Sequence, residues 1–159
     1  MGLLKGIDPL LTADLLFTLR SMGHGDKLCV CDCNFPAAEV ASKTTSGKCI
    51  MLTVSLPEAL SAICSVLPLD YFVDDPVGYM APQKGMTLPP AGIEVLEALK
   101  SCIAEHSSPD INTSPIDRYE FYEESRKCFA VVQTLERRPY ANVILTKGVV
   151  GPDGKDLKP

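Results

Sequence analysis

The apolar residues of this chain change period repeatedly along its length, and that alternation limits the folds open to it. Leu11, Leu15, Leu19 and Met22 recur at helical spacing, with Thr12 placed to cap and Asp14 in the first turn. The spacing predicts a helix over Thr12–Ser21, stopped by Gly23. Leu28–Asp32 then alternates as a strand and ends at the turn-forming "NFP". A polar loop, "ASKTTSGK", leads into a short strand at Cys49–Leu52. A second helix begins at Ser55, with Pro57 in its first turn and Leu56, Leu60, Ile63 and Leu67 on one face. Pro68 closes it. Tyr71–Val73 and Val77–Met80 read as extended. "KGMTLPPAG" reads as loop, and a third helix follows over Gly92–His106. "SSPDINTSP" is loop again, and "RYEFYEESRKC" reads as a strand end running into a short helix. "FAVVQTLE" and "NVILTKG" are two further strands with no helix between them.

Alternating helices and strands predict an α/β, three-layer single domain, a mixed β-sheet flanked by helices. The two late strands predict an antiparallel pair at an edge or the centre, so a purely parallel sheet is disfavoured. Residues 1–150 make the domain, and "GPDGKDLKP", residues 151–159, is expected as a flexible tail. At 46% apolar content the chain favours a packed core over disorder. No apolar run reaches the roughly 20 residues that a membrane helix needs. "MGLLKGIDPLL" lacks the apolar stretch of a secretory signal, and Gly6 stands where a myristoylation signal needs Ser or Thr. A net charge of −5 argues against nucleic acid as a partner. Seven cysteines, an odd number without a signal, fit reduced thiols in the cytoplasm better than a disulfide framework.

The candidate chemistry gathers first in "MGHGDKLCVCDCNFPA". Cys29, Cys31 and Cys33 alternate, so a strand would place them on one face, away from Val30 and Asp32. They are either a packed face of small hydrophobes or a metal or redox site; zinc ligands are usually spaced C-x₂₋₄-C and closed by a second pair. His24 lies between two glycines on a helix-to-strand turn, where the backbone is free to bend and an imidazole can serve as general acid or base. His106 sits at a helix end and reads as an end group. Asp32, at a strand end, is costly if buried without a partner and therefore wants a hydroxylated ligand or a donor. Asp70 in "LPLDYF" reads as a loop or cap residue. Arg118 is flanked by Tyr119 and Tyr122, and "PYANV" carries Tyr140 and Asn142 into an apolar strand. No phosphate loop, nucleophile elbow or H-E-x-x-H zinc helix is present. The remaining set of Asp, His, Tyr, Arg and Asn suits proton movement on a sugar or polyol without a cofactor or metal.

The stretches "LKGIDPLLTADLLFTLRSMGHGDKLCVCDCNFPA", "LPLDYF", "DRYEFYEESRKCFAVV" and "PYANVILTKGV" resemble the L-fucose mutarotase and D-ribose pyranase family. The resemblance runs from Leu4 to Val149 and rests on the combination of MGHGD, D-x-NFPA, FYE and Y-x-N. It implies a ribose pyranase/fucose mutarotase-like fold and interconversion of the α and β anomers of a free monosaccharide, L-fucose above all. It implies that His24 is the catalytic proton donor and Tyr122 a second acid–base group. Asp32, Arg118, Tyr140 and Asn142 match sugar-contacting positions, and Asp70 and Met80 match pocket-lining ones. Arg118 is the fucose-type residue, whereas Ala141 is common in ribose-type members; the multi-donor guanidinium selects hydroxyl geometry more strongly than one methyl. "TTSGKCIMLTV" departs from the family's "IRADG"-like strand and turn. The resemblance also implies a homo-oligomeric ring, such as a decamer of stacked pentamers, with sites between neighbouring subunits. A non-catalytic sugar-binding or ring-forming module and a cysteine-based metal or redox protein are the other readings.

Overall fold

The computed structural model describes residues 2–159. Helix α1, Ala13–Ser21, precedes strand β1, Lys27–Cys31, and a short α2, Ala37–Ala41. Then come β2, Cys49–Leu52, α3, Leu56–Cys64, β3, Val77–Ala81, and α4, Pro90–His106. The chain continues with β4, Thr113–Asp117, α5, Arg118–Arg126, β5, Ala130–Thr134, and β6, Val143–Thr146. The caps explain several boundaries. Thr12 Oγ1 accepts the Leu15 N–H at 3.3 Å and opens α1. The Glu58 carboxylate reaches back to the Ser55 N–H at 2.9 Å and opens α3. Pro90 occupies the first position of α4, where a missing N–H costs no hydrogen bond, so that helix starts two residues before Gly92.

One sheet runs in the order β2-β5-β1-β6-β3-β4. β1 is parallel to β5, β5 to β2, and β3 to β4, while β6 runs antiparallel to both β1 and β3. The sheet is therefore mixed, as expected, but the two late strands do not pair with each other. β1 lies between them, so the antiparallel partners of β6 are β1 and β3, and the "ERRPYAN" connection crosses over β1 instead of closing a hairpin. Helices α1, α3 and α4 cover one face through Leu15, Leu60, Ile63, Val95 and Leu99. Helices α2 and α5 cover the other through Val40 and Phe121. These are the three layers.

Leu28 and Val30 point into the first layer, Cys29 and Cys31 into the second. Cys33 lies beyond the strand end and is exposed, its N–H donating to the Glu136 carbonyl at 3.0 Å. The packed cysteine face thus has two members, not three, because the alternation stops at Cys31. The sequence assigns no element to most of α2, and the start of β4 falls in "SSPDINTSP", which reads as loop. The α2 sequence AAEVA is too short to show a period, and β4 carries Pro115 on a sheet edge, where no ladder bond is lost. Tyr71 and Phe72 form a turn instead of a strand, because the Asp70 carboxylate takes the Phe72 N–H at 3.0 Å. In the tail, Val150 bridges Asp156 and the Gly151 N–H donates to the Lys155 carbonyl at 2.7 Å. Among the described residues no helix is long and apolar enough to cross a membrane.

Candidate functional site

All strands except β6 point the same way, and their carboxyl ends converge around the first residues of β6. In open α/β sheets that end is where ligands bind. Here a cleft of about 220 Å³ is lined by Asp32, Asn34, Phe35, Met80, Arg118, Tyr122, Pro139, Tyr140 and Asn142. Asp32 follows β1, Met80 lies near the end of β3, and Arg118 and Tyr122 occupy the first turns of α5. Six of the residues singled out from the sequence meet in this one cleft.

Asp32 and Asn142 are buried and grip each other reciprocally. The Asp32 N–H donates to Asn142 Oδ1 at 2.9 Å, and Asn142 Nδ2 donates to Asp32 Oδ2 at 2.9 Å. Asn142 Nδ2 also lies 3.6 Å from Met80 Sδ, and the Met80 N–H donates to the Asn142 carbonyl at 2.9 Å. The Asn34 N–H holds the other Asp32 oxygen at 2.9 Å. Burial pushes the Asp32 carboxyl above its ordinary value, and the charge of Glu136 adds to this; the Asn34, Asn142 and Phe35 donors pull it back. The sequence reading set Asp32 away from the cysteines. The structure turns it into the cleft formed by Phe35, Met80 and Tyr122, the same layer that packs Cys29 and Cys31, because strand alternation no longer applies past Cys31.

The aromatic wall is ordered from beneath. Phe35 stacks on Tyr122 with centroids 5.4 Å apart and meets Phe121 edge-on at 6.0 Å. The Arg118 guanidinium stands 5.9 Å over the Tyr122 ring. Tyr140 has φ of 64°, the only positive value at a non-glycine among the described residues. Such a conformation costs of order 1–3 kcal/mol and persists where the surroundings enforce it, which marks the "PYAN" turn as shaped for its place in the cleft. Phe35, Asn34 and Pro139 were not singled out from sequence. The one signal for them was their position in turns beside Asp32 and Tyr140.

His24 and Asp70 lie elsewhere. They flank the opposite end of β1, where Gly25, with φ of 84°, turns the chain and donates its N–H to the Lys147 carbonyl at 2.8 Å. His24 Nε2 is 3.0 Å from Asp70 Oδ2; the imidazole is 51% exposed and the carboxylate 1%. The Phe72 ring meets the imidazole edge-on at 6.1 Å. A buried carboxylate that binds an exposed imidazole fixes the ring's orientation. It is therefore placed to hold His24 and not to line the cleft. β1 alone spans roughly 17 Å at the ordinary strand rise. His24 and Asp32 of one chain cannot both touch one monosaccharide.

Five of the seven cysteines, Cys29, Cys31, Cys64, Cys102 and Cys128, are buried packing groups, while Cys33 and Cys49 are exposed. Burial pushes the Cys29 thiol well up, Cys102 to about 11 and Cys128 to about 12. Thiols so held stay protonated at neutral pH and are poor nucleophiles and metal ligands. His106 ends α4, and its Nε2 lies 2.9 Å from Ser61 Oγ of α3.

Comparison with known proteins agrees with this geometry. The sequence profile described as the RbsD / FucU transport protein family matches residues 5–150. The chain is 37% identical over 153 residues to a fucose mutarotase from Danio rerio, covering 96% of this chain and 98% of that one. It is 34% identical over 161 residues to the fucose mutarotase of Homo sapiens, covering 94% and 96%. The crystal structure of the fucose mutarotase from Streptococcus pneumoniae in complex with L-fucose superposes with a TM-score of 0.79 at 35% identity, covering 93% of this chain and all of that one. With profile, sequence and fold in agreement over nearly its whole length, the chain belongs to the RbsD / FucU family.

Proposed function

We propose that this protein is an isomerase that interconverts the α and β anomers of a free pyranose, with L-fucose as its preferred sugar. The observation that carries the reading is the cleft: a buried carboxylate and amide, two tyrosines and an arginine around a space of about 220 Å³. Asp32 has oxygen lone pairs left to accept sugar hydroxyls once Asn34 and Asn142 are bound. Arg118 donates, and the face of Tyr140 packs on the C–H surface of the ring. Fucose mutarotases are among the curated relatives, and one related structure contains L-fucose.

The reaction needs two proton transfers and no net redox change. A base removes the proton of the anomeric hydroxyl as the bond from C1 to the ring oxygen breaks, and an acid protonates that oxygen. Rotation about C1–C2 turns the other carbonyl face to the hydroxyl, and reclosure reverses both transfers. His24 supplies the donor and Tyr122 the second acid–base group. Each positioned transfer is worth roughly 10²–10⁴-fold.

The distance between His24 and Asp32 fits a shared site. A heterologous, head-to-tail contact would bring the histidine end of one chain to the cleft of the next, and such contacts close into rings. The active protein on this reading is a ring, a decamer or similar, working on free monosaccharide in the cytoplasm. NMR saturation transfer between the anomeric protons of L-fucose, D-ribose and galactose tests the activity. Faster exchange of L-fucose than in buffer is expected. Binding by calorimetry without faster exchange would make the protein a sugar-binding module instead.

A further inference from the structure

We infer that the carboxyl-terminal turn, residues 150–158, is a clamp that positions the His24–Asp70 pair. The inference rests on the reading of His24 as a proton-transfer group, and it adds Asp156 and Lys158 as positioning residues. Asp70 reaches His24 from a short segment, residues 68–72, that belongs to no helix or sheet strand. The extension of β6 holds that segment on one side: the Asp70 N–H donates to the Thr146 carbonyl at 3.1 Å and the Gly148 N–H to the Pro68 carbonyl at 2.8 Å. A Cβ on Gly148 would collide with the Leu69 carbonyl, so the two backbones lie flush.

This leaves the N–H of Leu69, a buried residue, without a backbone acceptor among the described residues. The Asp156 carboxylate lies against the Leu69 backbone on that side, and the β-bridge between Val150 and Asp156 holds it there. On the other side of Asp70, Lys158 Nζ sits 4.7 Å over the Tyr71 ring. The turn therefore grips both neighbours of Asp70. It is itself tied to the β6 extension by the Leu157 N–H, which donates to the Val149 carbonyl at 2.8 Å. Because both Asp70 oxygens are committed, one to Phe72 N–H and one to His24, a shift of the segment moves the imidazole. The other charged groups near His24 are Asp26 on its own turn and Arg20 and Lys147 along the adjoining groove; none belongs to the 150–158 turn.

The test uses two variants of the full protein, a deletion of residues 151–159 and Asp156→Ala, with Asp156→Glu as the conservative control. The readouts are the ¹⁵N NMR signature of the His24 ring, which reports the Nε2 contact with Asp70, and the kinetics of L-fucose anomer exchange. We expect both variants to change the ring signature and lower kcat by about 10–100-fold while KM stays within about twofold, since misplacement of a catalytic group costs turnover more than binding. Asp156→Glu should keep the wild-type signature. If both variants keep the signature and kcat, the clamp is refuted. Should the deletion fail to fold, Asp156→Ala alone decides. A wild-type protein with no exchange activity would refute the catalytic reading and leave the ring signature to judge the clamp.

Discussion

Replacing Glu136 with Gln should cost the protein a measurable and pH-dependent share of its stability. Glu136 leaves β5 and is 5% exposed. Its Oε1 accepts from the Arg138 N–H at 3.0 Å and from Nε at 2.8 Å, and its Oε2 from Nη2 at 2.7 Å and from the Leu56 N–H, at the start of α3, at 3.3 Å. Its carbonyl meanwhile holds Cys33, next to Asp32. The Arg138 fork, with the backbone donors, keeps the Glu136 carboxyl at about 2, against an ordinary 4.5. At about 1.4 kcal/mol per pH unit the linked stabilisation is about 3 kcal/mol. Arg138 is 31% exposed, and solvent screening brings this to about 2 kcal/mol. A depressed carboxyl contributes above its unfolded value and loses that contribution as pH falls through the folded one. The wild type should therefore lose this stability between about pH 4.5 and pH 2, and Glu136→Gln should lack it at pH 7 and not change further in that window. For a chain of this size the deficit at pH 7 lowers Tm by about 4–8 °C. Urea unfolding of both proteins across pH 3–8 measures it. Equal stability at pH 7, with parallel acid limbs, would refute the reasoning.

Three further outcomes follow from the site. Burial raises the Asp32 carboxyl, so the folded state binds its proton more tightly than the unfolded chain; Asp32 costs stability as pH rises through its folded value and costs nothing below the ordinary range. Asp32→Asn should remove that pH dependence in thermal unfolding and abolish L-fucose binding by calorimetry; retained binding would take Asp32 out of the site. His24→Ala should lower anomer exchange by roughly 10²–10⁴-fold, and it should lower Tm as well, because it leaves one oxygen of the buried Asp70 carboxylate without its partner. Tyr140→Gly should leave Tm unchanged or raise it by relieving the left-handed backbone, while sugar affinity falls. A lower Tm with intact affinity would contradict that account of Tyr140.

The long periodic segments were legible in the sequence because burial on one face writes itself into spacing. The α3 stripe of Leu56, Leu60 and Ile63 is an example, and all three are fully buried. Pairing was not legible: nothing local in "FAVVQTLE" or "NVILTKG" says that β1 separates them. Short or polar elements such as α2 and β4 leave no periodic trace. The site residues were found by type and by resemblance, and six of them converge in the cleft. Their division into two groups could not be read, since it depends on which end of β1 each loop reaches. Asp70 shows the same limit. Its sequence context suggests a cap, its resemblance suggests a pocket wall, and only the 3.0 Å contact assigns it to His24.

The central claim, one catalytic site built from opposite ends of two chains, is tested most directly by complementation. His24→Ala and Asp32→Asn chains, each inactive alone, are unfolded together, refolded as a 1:1 mixture, and assayed for L-fucose anomer exchange. A shared head-to-tail site regenerates intact pairs wherever an Asp32→Asn chain offers its histidine to a His24→Ala neighbour, which random assembly gives at about a quarter of contacts. Recovery of about a quarter of wild-type exchange is the predicted result. A mixture as inactive as its parents would place both groups' work within single chains and contradict the account.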